Sequence, residues 1–168
     1  MAKYSTTITW NREGAPFTDG RYSRAHAWRF DGGLTVPASS SPHVVPVPYS
    51  DPANVDPEEA FVAALSSCHM LWFLSLAAKR GFVVDEYRDE AEGTMGYNDA
   101  GRQVMTHVLL KPHVIFSRLQ VPTDADVSAL HHQAHEKCYI ANSVKTVVDI
   151  QGQWSFRQDR QAEPSSYD

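Results

Sequence analysis

The sequence predicts an α+β fold, on three observations. The first is the stretch from Asp56 to Gly81, which has the composition of one long apolar helix. The second is a set of short segments before and after it that are rich in β-branched and aromatic residues, as strands are. The third is a helical pattern over residues 123–137. Strands that come in runs and are set apart from two helices are typical of antiparallel α+β domains.

Length and charge limit the class of protein. The chain has 168 residues and a formal net charge of −5, which suits one domain with a sizeable core. Because no basic run is present, nucleic acid and anionic membranes are poor candidate partners. Residues 1–7 contain no apolar run of the kind that opens a secretion signal, so we expect a cytoplasmic protein. We expect residues 1–157 to form the domain and polar residues 158–168 to fray.

Three strands are predicted ahead of the long helix, with a loop over residues 11–20. Their ranges are 3–10, 21–30 and 34–36. On the second of them Tyr22, Arg24 and His26 share one face. The connection over residues 37–55 contains five prolines and has no period. Such a connection covers a functional site, reaches another subunit, or is a disordered loop.

Both ends of the long helix are marked. Asp56 is a good N-cap, Pro57 suits the first turn, and Glu59 completes a capping box. Gly81 suits a left-handed cap at the other end. The helix has no wide polar stripe, so we expect it to be buried on nearly every side. One small sheet cannot cover such a helix, so we expect a second subunit to cover the rest of its surface. A membrane span is the competing interpretation, and the polar cluster at residues 66–69 argues against it.

The second half of the chain is predicted as extended, helical and extended again. Segments 82–97 and 104–116 are joined by a hairpin turn. A helix with N-cap Thr123 then runs to about Lys137, and a final strand follows over residues 141–154. The inward residues of this second helix are expected to be Val127, Leu130, Ala134 and Cys138.

The two cysteines are the strongest chemical signal. Cys68 lies in the middle of the first helix and Cys138 at the end of the second, so the thiols meet only if the helices pack together. If they do, a sulfenic acid formed by peroxide at one is trapped by the other as a disulfide. The alternative is two inert core thiols. A reactive thiol needs a nearby cation, and the candidates are Arg12, Arg21, Arg24 and Arg29.

Two segments resemble a known family. Residues 56–69 (Asp-Pro-Glu-Glu-Ala-Phe-Val-Ala-Ala-Leu-Ser-Ser-Cys-His) and 138–145 (Cys-Tyr-Ile-Ala-Asn-Ser-Val-Lys) are similar to the osmotically inducible protein C and organic hydroperoxide resistance family. The order of elements from about residue 3 to 154 is similar too. The resemblance implies an intertwined homodimer in which antiparallel sheets pack on a long buried helix and a second helix. It also implies reduction of organic hydroperoxides or hydrogen peroxide, with a lipoyl-type dithiol or small thiol as reductant.

The resemblance also implies roles for single residues. Cys68 matches the peroxidatic position and Cys138 the resolving one. Glu58 matches a glutamate at the start of the helix, and Arg24 is the closest match to the family's arginine. The glycine-rich turn around that arginine is absent here, which leaves Arg21 and Arg29 as rivals.

Glu58 raises a geometric difficulty. Ten helical residues separate it from Cys68, which corresponds to about 15 Å along a helix axis. An arginine must bridge the two, the helix must bend, or the site must be shared across subunits. Alternatively, Glu58 serves only the helix N-terminus.

The apolar residues near Cys68 suit a bulky organic peroxide, although residues of this kind are more often simply core. They are Phe61, Met70, Leu71, Trp72 and Phe73.

The histidines suggest a second kind of site. His131 and His135 have metal-ligand spacing, and Cys138 extends the set, but a further ligand is missing and a polar helix face is the commoner use. His69 either tunes the thiolate or packs, and His26 is a weak site candidate.

Three other functions stay open beside the peroxidase. One is a metal- or ligand-binding module that uses these histidines. Another is a stress-associated binding protein of this fold without turnover. The weakest is a cysteine hydrolase, because no Cys–His–acid set can be placed.

Overall fold

The computed structural model describes residues 1–117 and 120–157, so the predicted frayed tail lies outside the described residues. The chain forms two compact units, residues 1–62 and residues 63 onward, and the prediction of one domain over 1–157 stays a prediction. The elements in chain order are β1 (Thr6–Thr9), β2 (His26–Phe30), β3 (Thr35–Ala38), α1 (Pro57–Lys79), β4 (Val84–Asp89), β5 (Glu92–Tyr97), β6 (Gln103–Leu110), β7 (Pro112–Phe116), α2 (Asp124–Lys137), β8 (Val147–Ile150) and β9 (Gln153–Phe156).

The first unit contains an antiparallel sheet in the order β1-β2-β3. All three predicted strands exist, but the second begins at His26 and not at Arg21. Arg24 therefore lies in the loop before β2, which corrects its predicted place on a strand face. The physical reason is that the Arg24 N–H donates to the carbonyl of Tyr49 at 2.8 Å and not to a neighbouring strand.

The proline-rich connection is an ordered loop, so the interpretation as a plain disordered segment does not hold. Backbone hydrogen bonds tie its two ends together, from Ser39 N–H to the Val55 carbonyl at 3.0 Å and from Val55 N–H to the Pro37 carbonyl at 3.2 Å. Inside the loop, the Asp51 N–H donates to Ser39 Oγ at 2.9 Å. The connection thus leads into α1 as a fixed segment.

Helix α1 has the predicted bounds. Glu59 N–H donates to Asp56 Oδ1 at 2.8 Å and Asp56 N–H to Glu59 Oε2 at 3.3 Å, which is the predicted capping box. Gly81 ends the helix with φ of +81°, a backbone conformation that glycine adopts without strain. Local chemistry at both ends therefore determines the length of α1.

One chain buries only part of α1. The buried residues of the helix are Leu65, His69, Phe73, Leu76 and Ala77, whereas Leu71 is 61% exposed. The predicted cover by a second subunit stays a prediction. By length and composition α1 is also apolar enough to span a membrane, a test that core helices of soluble proteins pass as well.

The second unit contains two three-stranded sheets, β4-β7-β9 and β5-β6-β8. Each of the three extended segments predicted there is divided into two strands, and the two pieces enter different sheets. The β5–β6 hairpin is antiparallel as predicted, but β8 and β9 run parallel to β6 and β7. The reason is that α2 forms a crossover between β7 and β8, and a crossover returns the chain in the same direction.

The core of the second unit lies between α1, α2 and the β4-β7-β9 sheet. Its largest buried side chains include Phe73 on α1, Phe116 on β7 and Leu130 on α2. The predicted inward residues Val127, Leu130, Ala134 and Cys138 are all buried. Packing of this face holds α2 against α1, which brings the two cysteine segments together.

Candidate functional site

The first unit contains a cleft of about 460 Å³ that includes both predicted partners of the thiol, Arg24 and Glu58. Three aromatic rings form much of its apolar lining. Phe17 and Tyr22 are stacked with ring centroids 4.6 Å apart, and the Trp10 ring lies 5.4 Å from Tyr22. The remaining lining residues are Ile8, His26, Ser39, Ser40 and Pro57.

Arg24 is held in this cleft by its own loop. Its Nη1 donates to the carbonyl of Gly20 at 2.7 Å and to that of Tyr22. The guanidinium carbon lies 3.8 Å from the centroid of the Tyr22 ring, a cation–π contact. The rivals Arg21 and Arg29 are exposed and do not line the cleft. Arg24 is therefore a cation in a fixed position beside an apolar surface.

Glu58 enters the cleft from the first turn of α1. It is half-buried, and the capping box before it fixes the direction of the helix start. Among residues 1–117 and 120–157, no cation forms a salt bridge with Glu58. Its carboxylate is thus available to a group that arrives in the cleft.

The second unit brings the two predicted cysteines together. Cys68 and Cys138 are both free thiols, and they share a hydrogen bond. Cys138 follows the last residue of α2 and is 1% exposed, whereas Cys68 is half-buried. The Ala141 N–H donates to Cys138 Sγ at 3.4 Å, at the start of the 3-10 turn over Ala141–Ser143. Cys68 and Cys138 thus lie close enough for their thiols to interact, and their roles as peroxidatic and resolving thiols stay a prediction.

The two thiols differ in chemistry because they differ in exposure. Burial, and next the hydrogen bond with the Cys68 thiol, raise the pKa of Cys138 to about 11. Cys138 is therefore protonated at neutral pH and donates to the Cys68 sulfur. Cys68 is the thiol of the pair that solvent can reach.

Aromatic side chains lie beside the thiol pair. The Trp72 ring, one helical turn beyond Cys68, packs edge-on against Tyr139 with centroids 5.6 Å apart. Lys137 Nζ lies 5.7 Å from the centroid of the Trp72 ring. On the preceding turn, Ser66 Oγ donates to Asp89 Oδ2 at 2.5 Å. Trp72 is thus the member of the predicted apolar set that contacts Tyr139, the residue after Cys138.

The histidines form a buried pair that sequence reasoning did not foresee. His69 Nε2 and His131 Nδ1 are 3.0 Å apart, with the two rings stacked. Burial, followed by His131 and His135, lowers the pKa of His69 to about 3, and burial lowers the pKa of His131 to about 4. Within residues 1–117 and 120–157, no three His, Cys, Asp or Glu side chains are arranged to hold a metal ion.

His26 has both ring nitrogens engaged inside the first unit. Its Nδ1 lies 2.7 Å from the Arg24 carbonyl, and its Nε2 accepts from Trp28 Nε1 at 2.9 Å. The ring therefore supports the Arg24 loop. The aromatic lining of the cleft was also not predicted, although Trp10 and Phe17 border the glycine-containing loop and were a usable signal.

Comparison with known proteins identifies the family of this chain. The family model of OsmC-like proteins matches residues 50–152. An OsmC-like protein of unknown function from Vibrio cholerae has a structure with a TM-score of 0.89 and 55% sequence identity, covering 90% of this chain and 99% of that one. A search of curated protein sequences found no match.

More distant structures share the fold. An organic hydroperoxide resistance protein from Elizabethkingia anophelis has a TM-score of 0.64 at 15% identity, covering 94% of this chain and 98% of that one. One from Legionella pneumophila has the same TM-score and identity, covering 92% of this chain and 98% of that one. On the family match and the close relative, this chain belongs to the OsmC-like family.

Proposed function

We propose that the protein is a thiol-dependent peroxidase that reduces organic hydroperoxides. The observation that carries the proposal is the hydrogen-bonded pair of reduced thiols, Cys68 and Cys138, with unequal exposure. A peroxidatic thiol must be accessible to the peroxide and easily ionised. A resolving thiol must lie close to it and stay protonated until the sulfenic acid has formed. The half-buried Cys68 and the buried Cys138 match these two requirements.

The reaction balances with the groups present and one external reductant. The Cys68 thiolate attacks the outer peroxide oxygen, the O–O bond breaks, and the alcohol leaves with a proton, which makes Cys68 a sulfenic acid. Cys138 sulfur then attacks Cys68 sulfur, and the displaced hydroxide takes the thiol proton to form water. A dithiol of the lipoyl type, or a small thiol, reduces the disulfide by exchange and is itself oxidised.

The Arg24 guanidinium supplies positive charge for the thiolate and for the peroxide oxygen that accumulates charge as the O–O bond breaks. Glu58, which lines the same cleft, is assigned in the peroxide-bound state to accept from the guanidinium N–H groups that the backbone carbonyls leave free. The aromatic lining made by Trp10, Phe17 and Tyr22 receives the organic part of the peroxide. This division of roles favours organic hydroperoxides over hydrogen peroxide, which has no apolar part to bind.

The site is shared between two subunits in this proposal. Since α1 is one continuous helix, Glu58 and Cys68 of one chain are separated by about 15 Å along its axis. Of the three arrangements that the sequence left open, sharing requires neither a bend nor a long bridge. The exposed apolar surface of α1, with Leu71 61% exposed, provides a surface that a second copy would bury.

The test is a free-thiol titration and intact-mass measurement after one equivalent of cumene hydroperoxide. We expect the wild type to lose both thiols and the Cys138→Ser variant to yield a sulfenic acid that dimedone traps at Cys68. The matched control, Cys68→Ser, should keep its Cys138 thiol. Survival of both thiols in the wild type would overturn the proposal in favour of a binding protein without turnover.

A further inference from the structure

The buried pair of His69 and His131 has no part in the peroxidase reaction described above. The two side chains are 1% and 7% exposed, and their hydrogen bond joins α1 to α2 at 3.0 Å. The pair has the environment of core residues and a hydrogen bond that crosses between the helices that carry the thiols.

The histidine pair is expected to stabilise the core less than apolar side chains of similar size would. Each ring uses one nitrogen for the mutual bond, and the other, His69 Nδ1 or His131 Nε2, is buried without a hydrogen-bond partner among residues 1–117 and 120–157. Buried polar atoms without partners destabilise a fold, and replacing both members of such a pair by apolar groups is often neutral or stabilising. Stability alone therefore does not account for two histidines at this position.

The surroundings of His131 are shaped around its ring. A Cβ on Gly152 would come within 2.5 Å of His131 Nε2, so the residue that faces the ring must lack a side chain. The Phe73 ring also contacts the ring of His131, with centroids 4.4 Å apart. His131 is held by these contacts in the orientation that meets His69.

The histidine bond lies next to the thiol pair along both helices. His69 follows Cys68 directly in α1, and His131 precedes Cys138 by about two turns in α2. His135, on the intervening turn, lies close enough to act electrostatically on His69. The interface between α1 and α2 therefore contains the thiol pair and, beside it, the hydrogen bond between His69 and His131.

We propose that the His69–His131 hydrogen bond is a positioning clamp that fixes the register of α1 against α2, so that Cys138 faces Cys68 for disulfide formation. A disulfide tolerates Cα separations of only about 4.4 to 6.8 Å, so a slip of one helix along the other removes it. Apolar packing permits such slips because it is not directional, whereas a hydrogen bond between two rings does not. Buried polar pairs that fix register at a cost in stability are known in helical assemblies.

The inference rests on the proposed function for its purpose but not for its test. The effective concentration of Cys138 toward Cys68 is measurable by equilibrating the protein with oxidised and reduced dithiothreitol, with no peroxide present. In the His69→Leu/His131→Leu double variant we expect this effective concentration, and the rate at which the sulfenic acid becomes a disulfide, to fall at least about tenfold. The rate at which cumene hydroperoxide oxidises Cys68 should stay within about twofold of wild type, because the clamp does not touch the peroxide.

A matched control separates clamping from packing. Phe73→Leu removes core contacts beside His131 but leaves the histidine bond in place, so it should lower thermal stability without lowering the effective concentration. If the double variant does not fold, His131→Phe serves instead, since it keeps a ring and loses the bond. A wild-type effective concentration in whichever variant folds would overturn the clamp. Failure of peroxide to oxidise Cys68 in any protein would instead overturn the proposed function and leave the dithiothreitol measurement valid.

Discussion

The two units of the chain present two different kinds of chemical surface. In the first, loops and the start of α1 arrange aromatic rings, a cation held by backbone carbonyls and the carboxylate of Glu58 around an open cleft. In the second, two helices hold a pair of thiols whose sulfur atoms share a hydrogen bond. Loops adapt readily to different ligands, whereas helices hold a reacting pair in a fixed geometry. Under the proposed function, the first unit binds the peroxide and the second performs the thiol chemistry.

The largest expected effect comes from removing the cation of the first unit. Arg24→Met keeps the length and apolar contacts of the side chain but removes the guanidinium, and we expect kcat/KM for cumene hydroperoxide to fall by about 10²- to 10³-fold. Arg29→Met is the matched control, because Arg29 is exposed on β2 and outside the cleft. Steady-state kinetics with a dithiol reductant gives the answer. Equal losses in the two variants would remove Arg24 from the mechanism.

The same variant tests whether the units act across subunits. Co-expression of an Arg24→Met chain with a Cys68→Ser chain, under two affinity tags, yields heterodimers in which sharing leaves one intact site. We expect these heterodimers to have about half of the wild-type turnover per dimer, while both parental homodimers are nearly inactive. Heterodimers as inactive as their parents would show that each chain supplies its own arginine.

The features predicted from sequence are those that local chemistry determines. Asp56, Glu59 and Gly81 define the ends of α1, and Thr123 with Asp126 defines the start of α2, because caps depend on residues within one turn. The contact of the two cysteines followed from the resemblance and from the inward positions on α2.

What the sequence did not predict depends on contacts between distant residues. Arg24 was assigned to a strand because its neighbours alternate, but a hydrogen bond to Tyr49 holds it in a loop. The final strand was expected to be antiparallel, and the crossover through α2 makes it parallel. The partner of His69 lies 62 residues away, a separation at which no periodic pattern carries information.

The next effect concerns the second unit and its response to acid. The pKa of His69 and that of His131 are about 3 and about 4 in the folded chain, below the value of 6.5 for a free histidine. Between these values the unfolded chain binds protons that the folded chain does not. The free energy of unfolding is therefore unaffected by the pair above about pH 6.5 and falls as the pH decreases, by on the order of 3 kcal/mol between pH 7 and pH 5 for both groups together.

Urea denaturation at several pH values measures this dependence. The His69→Leu/His131→Leu variant is the control, since it should lose most of the slope below pH 6.5. A wild type with the same slope as the double variant would show that the pair is not neutral and buried in solution. Such a result would mean that solvent reaches the histidine pair in the second unit, as it reaches the cleft in the first.

A smaller effect is expected from the aromatic lining. Phe17→Ala removes a ring that is stacked on Tyr22 at 4.6 Å and is 48% exposed. Full burial of such a side chain is worth about 1.5 to 3 kcal/mol, so we expect the half-exposed ring to contribute about half of that and KM for cumene hydroperoxide to rise by about fivefold. Hydrogen peroxide has no apolar group to bind, so its kinetics should change by less than about twofold. Leu34→Ala, at a 65% exposed side chain outside the cleft, is the control. Equal changes for both peroxides would mean that the rings support the loop and do not bind substrate.

The smallest effect compares the two helix caps, one in each unit. Asp56→Ala and Thr123→Ala each remove a capping box, and each should lower the free energy of unfolding by about 1 kcal/mol. Their effects on turnover should differ, because Asp56 fixes the first turn that carries Glu58, whereas Thr123 lies at the end of α2 remote in sequence from Cys138. We therefore expect Asp56→Ala to lower kcat/KM by a further few-fold (about threefold to fivefold) and Thr123→Ala to leave it unchanged. If both variants lose stability alone, the start of α1 is a structural cap only, and Glu58 has no part in the reaction.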